Sequence, residues 1–447
     1  MKAWVLCFLA VVVTFPSLGQ SPAPVRPTPV IIPLATNLPP RTELMSQSAR
    51  CRDILRANIF DFYIKCLDQT NGGYLEAMQT NTFIATGEKF LTLQARQLWF
   101  FSTIVNEGHD TNAAMQAARH GYVFLTQRFH DAKNGGFYSK VNDQGSPTDP
   151  RKHAYLNAFA IYGLSAYYRA SKDRTALQAA QAAFTTLDRR AYDPVNGGYY
   201  EMFTEDWKPI LDPKEPGYVG RNGHKTYNTH LHLMEAFAEL YRIWPDETLR
   251  RRLTELVHIN ANTVRFPGAD CNVDAFWPNW RYVEEPRNLR ASYGHDIECA
   301  WLVIDAARTL GMSPYLFRPW AETLCRYSLE FGYDKEYGGF YNGGPIGKAA
   351  DDLKKTWWVQ AEALPAMLEM YRTTGDIRYY EAFKQTLDFV EEHQMAPQGS
   401  WWAERERDGT ASQNASRTSM WQGAYHSGRA MMVCIRWLDA LAARMPR

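Results

Sequence analysis

Histidines and carboxylates are concentrated in four short segments of this sequence, each at or just before a predicted helix. The segments are NTHLH (228–232), SYGHDIECAW (292–301), WWVQAE (357–362) and WQGAYH (421–426). Histidine titrates near neutral pH without strong perturbation, so it suits the reversible transfer of a proton. The set as a whole therefore indicates acid–base chemistry, although any one of these histidines alone is typical of a polar residue with a structural role.

The first segment pairs an amide with a histidine. Asn228 and His232 are four residues apart and share a helix face, whereas His230 points elsewhere and is expected to pack in the core. Residues two apart on a helix do not face each other, so the His-x-His spacing disfavours a metal site.

The later segments add a second histidine and its possible partners. His295 and Glu298 are three residues apart, so we expect the carboxylate to orient the imidazole. Trp358 and Glu362 share a face at a spacing of four, and His426 lies at the predicted start of a helix. Two histidines in separate segments fit a pair of acid–base groups.

The elements that position these residues are marked by a Gly-rich turn that returns through the chain. Spacings between its first glycines are 63, 62, 71, 70 and 61 residues, with degenerate copies at the fourth and last positions: Gly72, Gly135, Gly197, Gly268, Gly338 and Gly399. A period of this length indicates stacked supersecondary units.

The segments between the turns have a helical pattern. Apolar residues recur at helical spacing in 153–171, 229–243 and 361–375, and two helices fit each interval. Six helical hairpins predict an all-α, single-domain (α/α)6 barrel whose six inner helices line one cleft, and an open helical solenoid is the alternative. Arg96 and Tyr155 take, in earlier repeats, the place that the histidines take in later ones.

The N-terminus has the pattern of an export signal. Lys2 precedes an apolar run, 3–13, that is too short to span a bilayer, and small residues follow at Ser17 and Gly19. We therefore expect a signal peptide at 1–20 and an exported, periplasmic or secreted protein without a membrane anchor. Seven prolines in 21–40 predict a linker over 21–41, which leaves 42–447 as the catalytic domain.

The amino-acid composition limits the classes of partner and cofactor that are expected. The formal net charge is +1 without a basic or acidic block, so nothing favours nucleic acid as a partner. The chain has 14 Trp, 25 Tyr and 22 Phe, and flat side chains suit the apolar faces of sugars. Cysteine spacing indicates neither a disulfide framework nor a zinc site, and a phosphate-binding loop is lacking, so we expect no metal and no cofactor. The sequence is compatible with either a monomer or a homodimer.

The segments NTHLHLMEA, SYGHDIECAW and WWVQAEA resemble the N-acylglucosamine 2-epimerase family, most closely its cellobiose 2-epimerase branch, over about residues 45–440. The resemblance implies an (α/α)6 barrel in which His295 and His426 are the two acid–base residues. It also implies that His232 and Arg96 bind the sugar and stabilise the intermediate. The surrounding pocket would be formed by Tyr155, Asn228, Glu298, Trp301, Trp358 and Glu362.

The implied reaction inverts C2 of a reducing sugar, with His426 as the base at C2 and His295 as the ring-opening acid. The substrate is left open between a cellobiose-type disaccharide, free mannose or glucose, and N-acetylglucosamine. An aldose–ketose isomerase shares the same enediolate and is the first alternative. A glycosidase would instead use two carboxylates about 5–9.5 Å apart, and a sugar-binding protein would need no acid–base pair.

Overall fold

Twelve long α-helices dominate the computed structural model, which describes residues 39–110 and 112–444. The predicted signal peptide, 1–20, and nearly all of the predicted linker, 21–41, lie outside the described residues. The helices are α1 (Arg41–Asp53), α2 (Leu91–Asn106), α3 (Asn112–Phe124), α4 (Ala154–Ser171), α5 (Arg174–Ala191), α6 (Tyr227–Tyr241), α7 (Glu247–His258), α8 (Tyr293–Thr309), α9 (Arg318–Phe331), α10 (Trp357–Thr374), α11 (Ile377–Phe389) and α12 (Tyr425–Ala442).

Shorter helical pieces extend these helices or join them. They are the π-helical turns Ile54–Phe60, Leu125–Phe129, Ile259–Thr263 and Val390–Gln394, the single turn Asp61–Tyr63, and the 3-10 turns Ile64–Cys66 and Pro314–Leu316.

The helices alternate between two layers along the chain. Each even-numbered helix packs against the next even-numbered helix, and α12 returns to pack against α2. Each odd-numbered helix packs on the outside of one of them: α1 on α12, α3 on α2, α5 on α4, α7 on α6, α9 on α8 and α11 on α10. Burial follows the layers, because residues 154–167 of α4 are all buried, whereas α7 buries only one stripe of its residues.

The same turn precedes every even-numbered helix. An antiparallel bridge closes it in all six repeats: Leu67 with Tyr74, His130 with Phe137, Tyr192 with Tyr199, Arg265 with Asn272, Tyr333 with Phe340, and Met395 with Trp401. The six turns predicted from glycine spacing are therefore confirmed, including the two degenerate copies.

A polar side chain of the following helix anchors each turn. Nε2 of His230 accepts a hydrogen bond from the backbone N–H of Tyr199 at 2.9 Å. The same bond is made in other repeats by Gln94, Asn157, Asp296 and Gln360. His230 is thus a core residue, as its spacing predicted, and Asp296 is a structural member of its motif.

The second glycine of the turn lets that anchor approach. Gly73 has a φ of +71°, and a Cβ there would lie 2.6 Å from Oε1 of Gln94. A side chain at this position would push the anchoring amide away, so the close approach requires glycine.

A buried ion pair ties four of the turns to the start of the next helix. Asp131 accepts hydrogen bonds from the backbone N–H groups of Lys133 and Asn134, and its carboxylate lies 2.9 Å from Nζ of Lys152. Lys152 stands two residues before α4 and is fully buried. The equivalent pairs are Asp68 with Lys89, Asp193 with Lys225, and Asp334 with Lys355.

Short antiparallel strands pair beside the starts of the even-numbered helices. They are β1 (Ala77–Gln79), β2 (Thr82–Ile84), β3 (Glu88–Phe90), β4 (Lys140–Asn142), β5 (Pro147–Asp149), β6 (Lys152–His153), β7 (Met202–Phe203), β8 (Lys225–Thr226), β9 (Ala275–Phe276), β10 (Arg290–Ser292), β11 (Gly343–Pro345), β12 (Lys355–Thr356) and β13 (Glu404–Arg405). The pairs are β1–β2, β6–β7, β8–β9, β10–β11 and β12–β13, and β3–β4–β5 form one three-stranded sheet.

Two further properties concern only residues 39–110 and 112–444. No helix there is long and apolar enough to cross a membrane. The cysteines are buried free thiols: Cys51, Cys66, Cys271, Cys299, Cys325 and Cys434.

Candidate active site

Eight of the ten predicted site residues line one cavity of about 410 Å³, at or near the N-terminal ends of the even-numbered helices. Each of these six helices contributes at least one side chain: Arg96 from α2, Tyr155 from α4, Asn228 and His232 from α6, His295 and Glu298 from α8, Trp358 from α10, and His426 from α12. The volume is in the usual range for a small-molecule site.

His426 is held from behind by a buried carboxylate. Its Nδ1 lies 2.7 Å from Oε1 of Glu362. The same oxygen lies 2.7 Å from Nη2 of Arg429. The other carboxylate oxygen, Oε2, accepts a hydrogen bond from Nε1 of Trp301 at 3.2 Å. Glu362 is fully buried. Because Nδ1 is engaged, the other ring nitrogen of His426 is the one available to a ligand.

His295 has a different support from the one predicted. Nδ1 of His295 lies 3.1 Å from Oγ of Ser292, whereas Glu298 accepts a hydrogen bond of 2.5 Å from Arg429. The expectation that Glu298 orients His295 is therefore wrong, because the carboxylate of Glu298 binds the buried guanidinium of Arg429 instead.

Trp358 lies beside both histidines. Its ring centroid is 4.7 Å from that of His295 and 5.9 Å from that of His426. The indole therefore contacts both imidazoles and gives the cavity an aromatic wall.

A buried network of charged side chains around Arg429 lies behind the cavity. The guanidinium contacts Glu235, Glu298 and Glu362, and Glu235 lies 3.0 Å from Nδ1 of His232. Tyr425 donates to Glu235 as well. One arginine therefore links the carboxylates behind His232 and His426.

Arg96 brings a second cation to the cavity. Nη2 donates to the hydroxyl of Tyr155 at 2.7 Å, and Nη1 donates to the carbonyl of Trp421 at 3.0 Å. Its Cζ lies 4.2 Å from the ring centre of Phe159 and 4.7 Å from that of Tyr425. These contacts hold the guanidinium rigidly, and carboxylates are not among its hydrogen-bond partners within 39–110 and 112–444.

Burial favours the neutral form of the cavity histidines. It lowers the pKa of His295 to about 3, with the nearby His232 adding to the shift. It lowers the pKa of His426 well below 6.5, and Arg96 and Arg429 lower it further. The pKa of His232 is also lowered by burial, although Glu235 opposes that shift. All three imidazoles are therefore neutral at pH 7.

The pKa values of the buried carboxyl groups behind the histidines are shifted in opposite directions. Burial raises the pKa of Glu298 well above its ordinary value, with Glu362 adding to the shift, and burial also raises the pKa of Glu362. Burial opposes ionisation of Glu235 too, but Arg429 and His232 overcome it and hold the pKa of Glu235 below its ordinary value. Among these three groups, Glu235 is the one whose ionised form the surrounding charges favour most.

Three side chains approach one another as metal ligands do. One ligand atom each from Glu298, Glu362 and His426 lies within 4.8 Å of the other two. Arg429 already contacts both carboxylates and supplies a positive charge there. The expectation of a metal-free reaction stays a prediction.

Comparison with known proteins identifies the family. The sequence profile described as N-acylglucosamine 2-epimerase (GlcNAc 2-epimerase) matches residues 72–430. The chain belongs to this family. The predicted family is thereby confirmed over most of the chain, and the enzyme is an isomerase that acts on carbohydrates.

Similar proteins agree with this assignment. A cellobiose 2-epimerase of Bacteroides fragilis is 30% identical over 381 residues, which cover 84% of this chain and 94% of that protein. The structure of cellobiose 2-epimerase from Spirochaeta thermophila superimposes with a TM-score of 0.81 at 30% identity, and covers 90% of this chain and 98% of that one. A D-mannose isomerase of Thermobifida fusca is 24% identical over 304 residues, 64% of this chain and 70% of that protein.

Two predicted pocket residues of this family member stand behind the cavity wall. Glu362 supports His426, and Trp301 donates to Glu362 and lines a cavity at the other ends of the helices. Neither lines the cavity that holds His295, so we reassign both from sugar contact to support. The roles of the other predicted residues stay predictions.

Several lining residues escaped the sequence analysis. Among them are Tyr218, Asp274, Trp357 and Trp421, which line the cavity. Trp357 and Trp421 stood inside quoted motifs and were detectable there. Tyr218 and Asp274 come from loops outside the four segments rich in histidines and carboxylates, and Arg429 stood three residues after His426 without a partner visible in sequence.

Proposed function

We propose that the protein is a carbohydrate 2-epimerase that interconverts the glucose and mannose configurations at C2 of a reducing sugar. The observation that supports this proposal is the pair of neutral histidines, His295 and His426, against one indole, with a carboxylate behind His426. A proton removed from one face of C2 and returned to the other needs two such groups.

Ring opening comes first in this mechanism. His295 takes the proton of the anomeric hydroxyl and passes it to the ring oxygen as the bond between C1 and that oxygen breaks. The aldehyde forms and His295 is neutral again. The carbonyl then acidifies the proton on C2.

Proton exchange at C2 follows. The free nitrogen of His426 takes the C2 proton, and the electron pair forms the C1–C2 double bond of an enediolate. The cation of Arg96 stabilises the negative oxygen by charge-assisted hydrogen bonds. His295, protonated from solvent, returns a proton to the opposite face of C2, and His426 releases its proton to solvent.

The arrangement of helices that carries this site is inferred to be an (α/α)6 barrel. The return of α12 to α2 closes the series of even-numbered helices, and six odd-numbered helices cover it. Closure favours the barrel over the open solenoid, because an open solenoid would leave its first and last repeats apart.

The substrate we propose is a cellobiose-type disaccharide or free mannose or glucose. Proteins named cellobiose 2-epimerase match 94% or more of their length to this chain. Tyr218, Trp357 and Trp421 add aromatic surface to the cavity beyond the histidine pair, and such faces stack on sugar rings. N-acetylglucosamine remains a third substrate to test.

An aldose–ketose isomerase is the second candidate. The similarity to a D-mannose isomerase supports it. Its reaction uses the same enediolate, but the proton returns to C1 and a ketose forms.

Proton NMR of the purified enzyme in D₂O tests both candidates. Cellobiose, glucose, mannose and N-acetylglucosamine are supplied separately. Deuterium at C2 together with a new epimer is expected from one or more of them. A ketose as the sole product would establish the isomerase, and release of monosaccharide from cellobiose would contradict both candidates.

We also propose that the protein is exported, on the pattern of residues 1–20. N-terminal sequencing of the mature protein tests this, since cleavage near residue 20 is expected. An intact N-terminus on cytoplasmic material would contradict it.

A further inference from the structure

A second cavity of about 410 Å³ lies at the opposite ends of the even-numbered helices from the sugar site. Five of these helices each place one arginine on it, in or just after the C-terminal half. They are Arg169 of α4, Arg242 after α6, Arg308 of α8, Arg372 of α10 and Arg436 of α12. We call these five residues the arginine ring.

The arginine ring carries more positive charge than its partners neutralise. Its carboxylate partners are Glu107, Glu239, Asp305 and Glu369, and both Glu239 and Glu369 are shared between two arginines. Five cations thus meet four anions. Arg372 has like-charged neighbours, and burial together with Arg308 lowers its pKa to about 10.

Most donors of the arginine ring are unused. Arg169, Arg308, Arg372 and Arg436 each donate a single side-chain hydrogen bond within 39–110 and 112–444. A guanidinium has five N–H groups in a planar fork that matches carboxylate and phosphate oxygens. The ring therefore has donors and charge available for an anion.

The walls below the ring are flat and apolar. Trp99 stacks on Tyr162 with centroids 5.1 Å apart, and Arg372 lies 4.6 Å above the ring of Trp437. Trp301 also lines the cavity. Such walls suit a ligand that has a planar or apolar body beside its charge.

We propose that this second cavity is a binding site for a small organic anion, one that bears a phosphate or carboxylate group on a flat apolar body. The anionic group binds the arginine ring and the body lies against the tryptophans. Arginines at helix C-termini also stabilise the helix dipole, but that role needs neither a cavity nor unused donors.

The second cavity shares a wall with the sugar site. Arg429 and Glu235 line the second cavity, and the same residues contact the carboxylate behind His426 and the ring of His232. An anion that attracts Arg429 weakens its hold on Glu362. Binding in the second cavity is therefore expected to change the sugar reaction, and sugar binding to change anion affinity by the same factor.

Isothermal titration calorimetry with phenyl phosphate tests the site on the full-length enzyme. Inorganic phosphate and benzoate separate the two parts of the ligand, since phosphate lacks the apolar body and benzoate replaces the phosphate by a carboxylate. Saturable binding of phenyl phosphate is expected, tighter than that of inorganic phosphate, and weakened by salt. Heats without saturation would overturn the proposal.

Arg436→Gln and Arg372→Gln locate the binding. Each is expected to raise the dissociation constant at least about tenfold, as loss of a charged hydrogen-bond donor implies. Arg250→Gln is the matched control, because Arg250 is exposed on α7 and pairs with Glu247 outside the cavity. The side chain of Arg436 is 49% exposed, so its variant tests the site without disturbing the core. Unchanged affinity in both ring variants would overturn the proposal.

Competition by the sugar substrate supplies the remaining control. Full displacement of phenyl phosphate by saturating sugar, with no effect of the ring variants, would place the anion in the sugar cavity. The binding readout does not depend on turnover, so it fails or succeeds independently of the epimerase proposal.

Discussion

Oε1 of Glu362 lies 2.7 Å from Nδ1 of His426, deep in the wall between the sugar cavity and the helix core. A neutral imidazole that donates from Nδ1 carries its lone pair on the other nitrogen, which is then free to take a proton. Arg429 contacts the same oxygen at 2.7 Å and offsets the cost of burying the carboxylate. This relationship supports the proposal that His426 is the base at C2 and yields the first prediction.

Glu362→Gln is expected to lower kcat by about 10²–10⁴ while the fold is retained, because the neutral amide cannot stabilise the imidazolium of His426. Loss of the carboxylate also removes a contact that favours the protonated imidazole, so the acidic limb of kcat/KM is expected to move to lower pH. The measurement is the pH–rate profile of both enzymes. An unchanged kcat would show that Glu362 plays no part.

His426→Ala and His295→Ala are expected to reduce epimerisation by at least about 10² each, since each removes one positioned acid–base group. The two substitutions are expected to differ in their effect on hydrogen–deuterium exchange at C2. His426→Ala abolishes deuterium uptake at C2, whereas His295→Ala retains slow uptake without inversion when an open-chain substrate analogue is supplied. NMR in D₂O separates the two. Near-normal turnover in His426→Ala would contradict its role as the base.

His230→Gln is expected to preserve stability and activity, because glutamine makes the same bond to the turn at Gln94 and Gln360. His230→Ala leaves the N–H of Tyr199 without its acceptor and is expected to cost about 1–3 kcal/mol of unfolding free energy. Chemical denaturation of the three proteins measures this. Loss of activity in folded His230→Gln would instead mean that His230 acts in catalysis.

Lys152→Met is expected to destabilise the protein by about 3–5 kcal/mol, because Asp131 is left as an unpaired buried charge. The double variant with Asp131→Asn is expected to recover part of this loss, since no charge remains buried. Lys208→Met serves as the control, because its pair with Asp206 is exposed and its loss is expected to leave the unfolding midpoint unchanged. A loss in the double variant equal to the sum of the two single losses would contradict the coupling.

The stability that three buried histidines contribute is expected to fall as pH drops below about 6.5, the unfolded-state pKa of histidine. Burial lowers the pKa of His153, His230 and His295 to about 3 each. Between these values the unfolded chain binds protons at these three histidines that the folded chain excludes, so their contribution to stability is complete above pH 6.5 and is lost progressively towards pH 3. Buried carboxyls such as Glu76 and Glu201, whose pKa burial raises to about 8, act in the opposite direction, so the histidine contribution is the difference between the enzyme and its His230→Gln variant. Thermal unfolding across this range measures it, and His230→Gln is expected to weaken the dependence.

Much of the architecture was predictable because its signals are local. A left-handed backbone position favours glycine, so the six turns were recognisable in the sequence at a spacing of 61–71 residues, even though Ser400 takes such a position in the last turn. Helical periodicity then predicted two helices for each interval. The assignment of His230 to the core followed from the fact that residues two apart on a helix point in different directions.

The supports of the site were not predictable in the same way. Sequence spacing alone predicted that Glu298 lies beside His295. It could not predict that Arg429, which is 131 residues further along the chain, binds the carboxylate of Glu298. For the same reason Glu362 was expected in the pocket and is found behind it, since its partner His426 lies 64 residues further along the chain.

The sequence by itself determined the turns, the helices, the family and the set of histidines, because each rests on neighbours within a few residues or on long motifs. Tertiary structure alone decided which charges meet: Glu362 with His426, Glu298 with Arg429, and Asp131 with Lys152. Buried charges choose partners by distance in space and by the cost of burial. The distances between these charges and the extent of their burial are set only when the six repeats pack together.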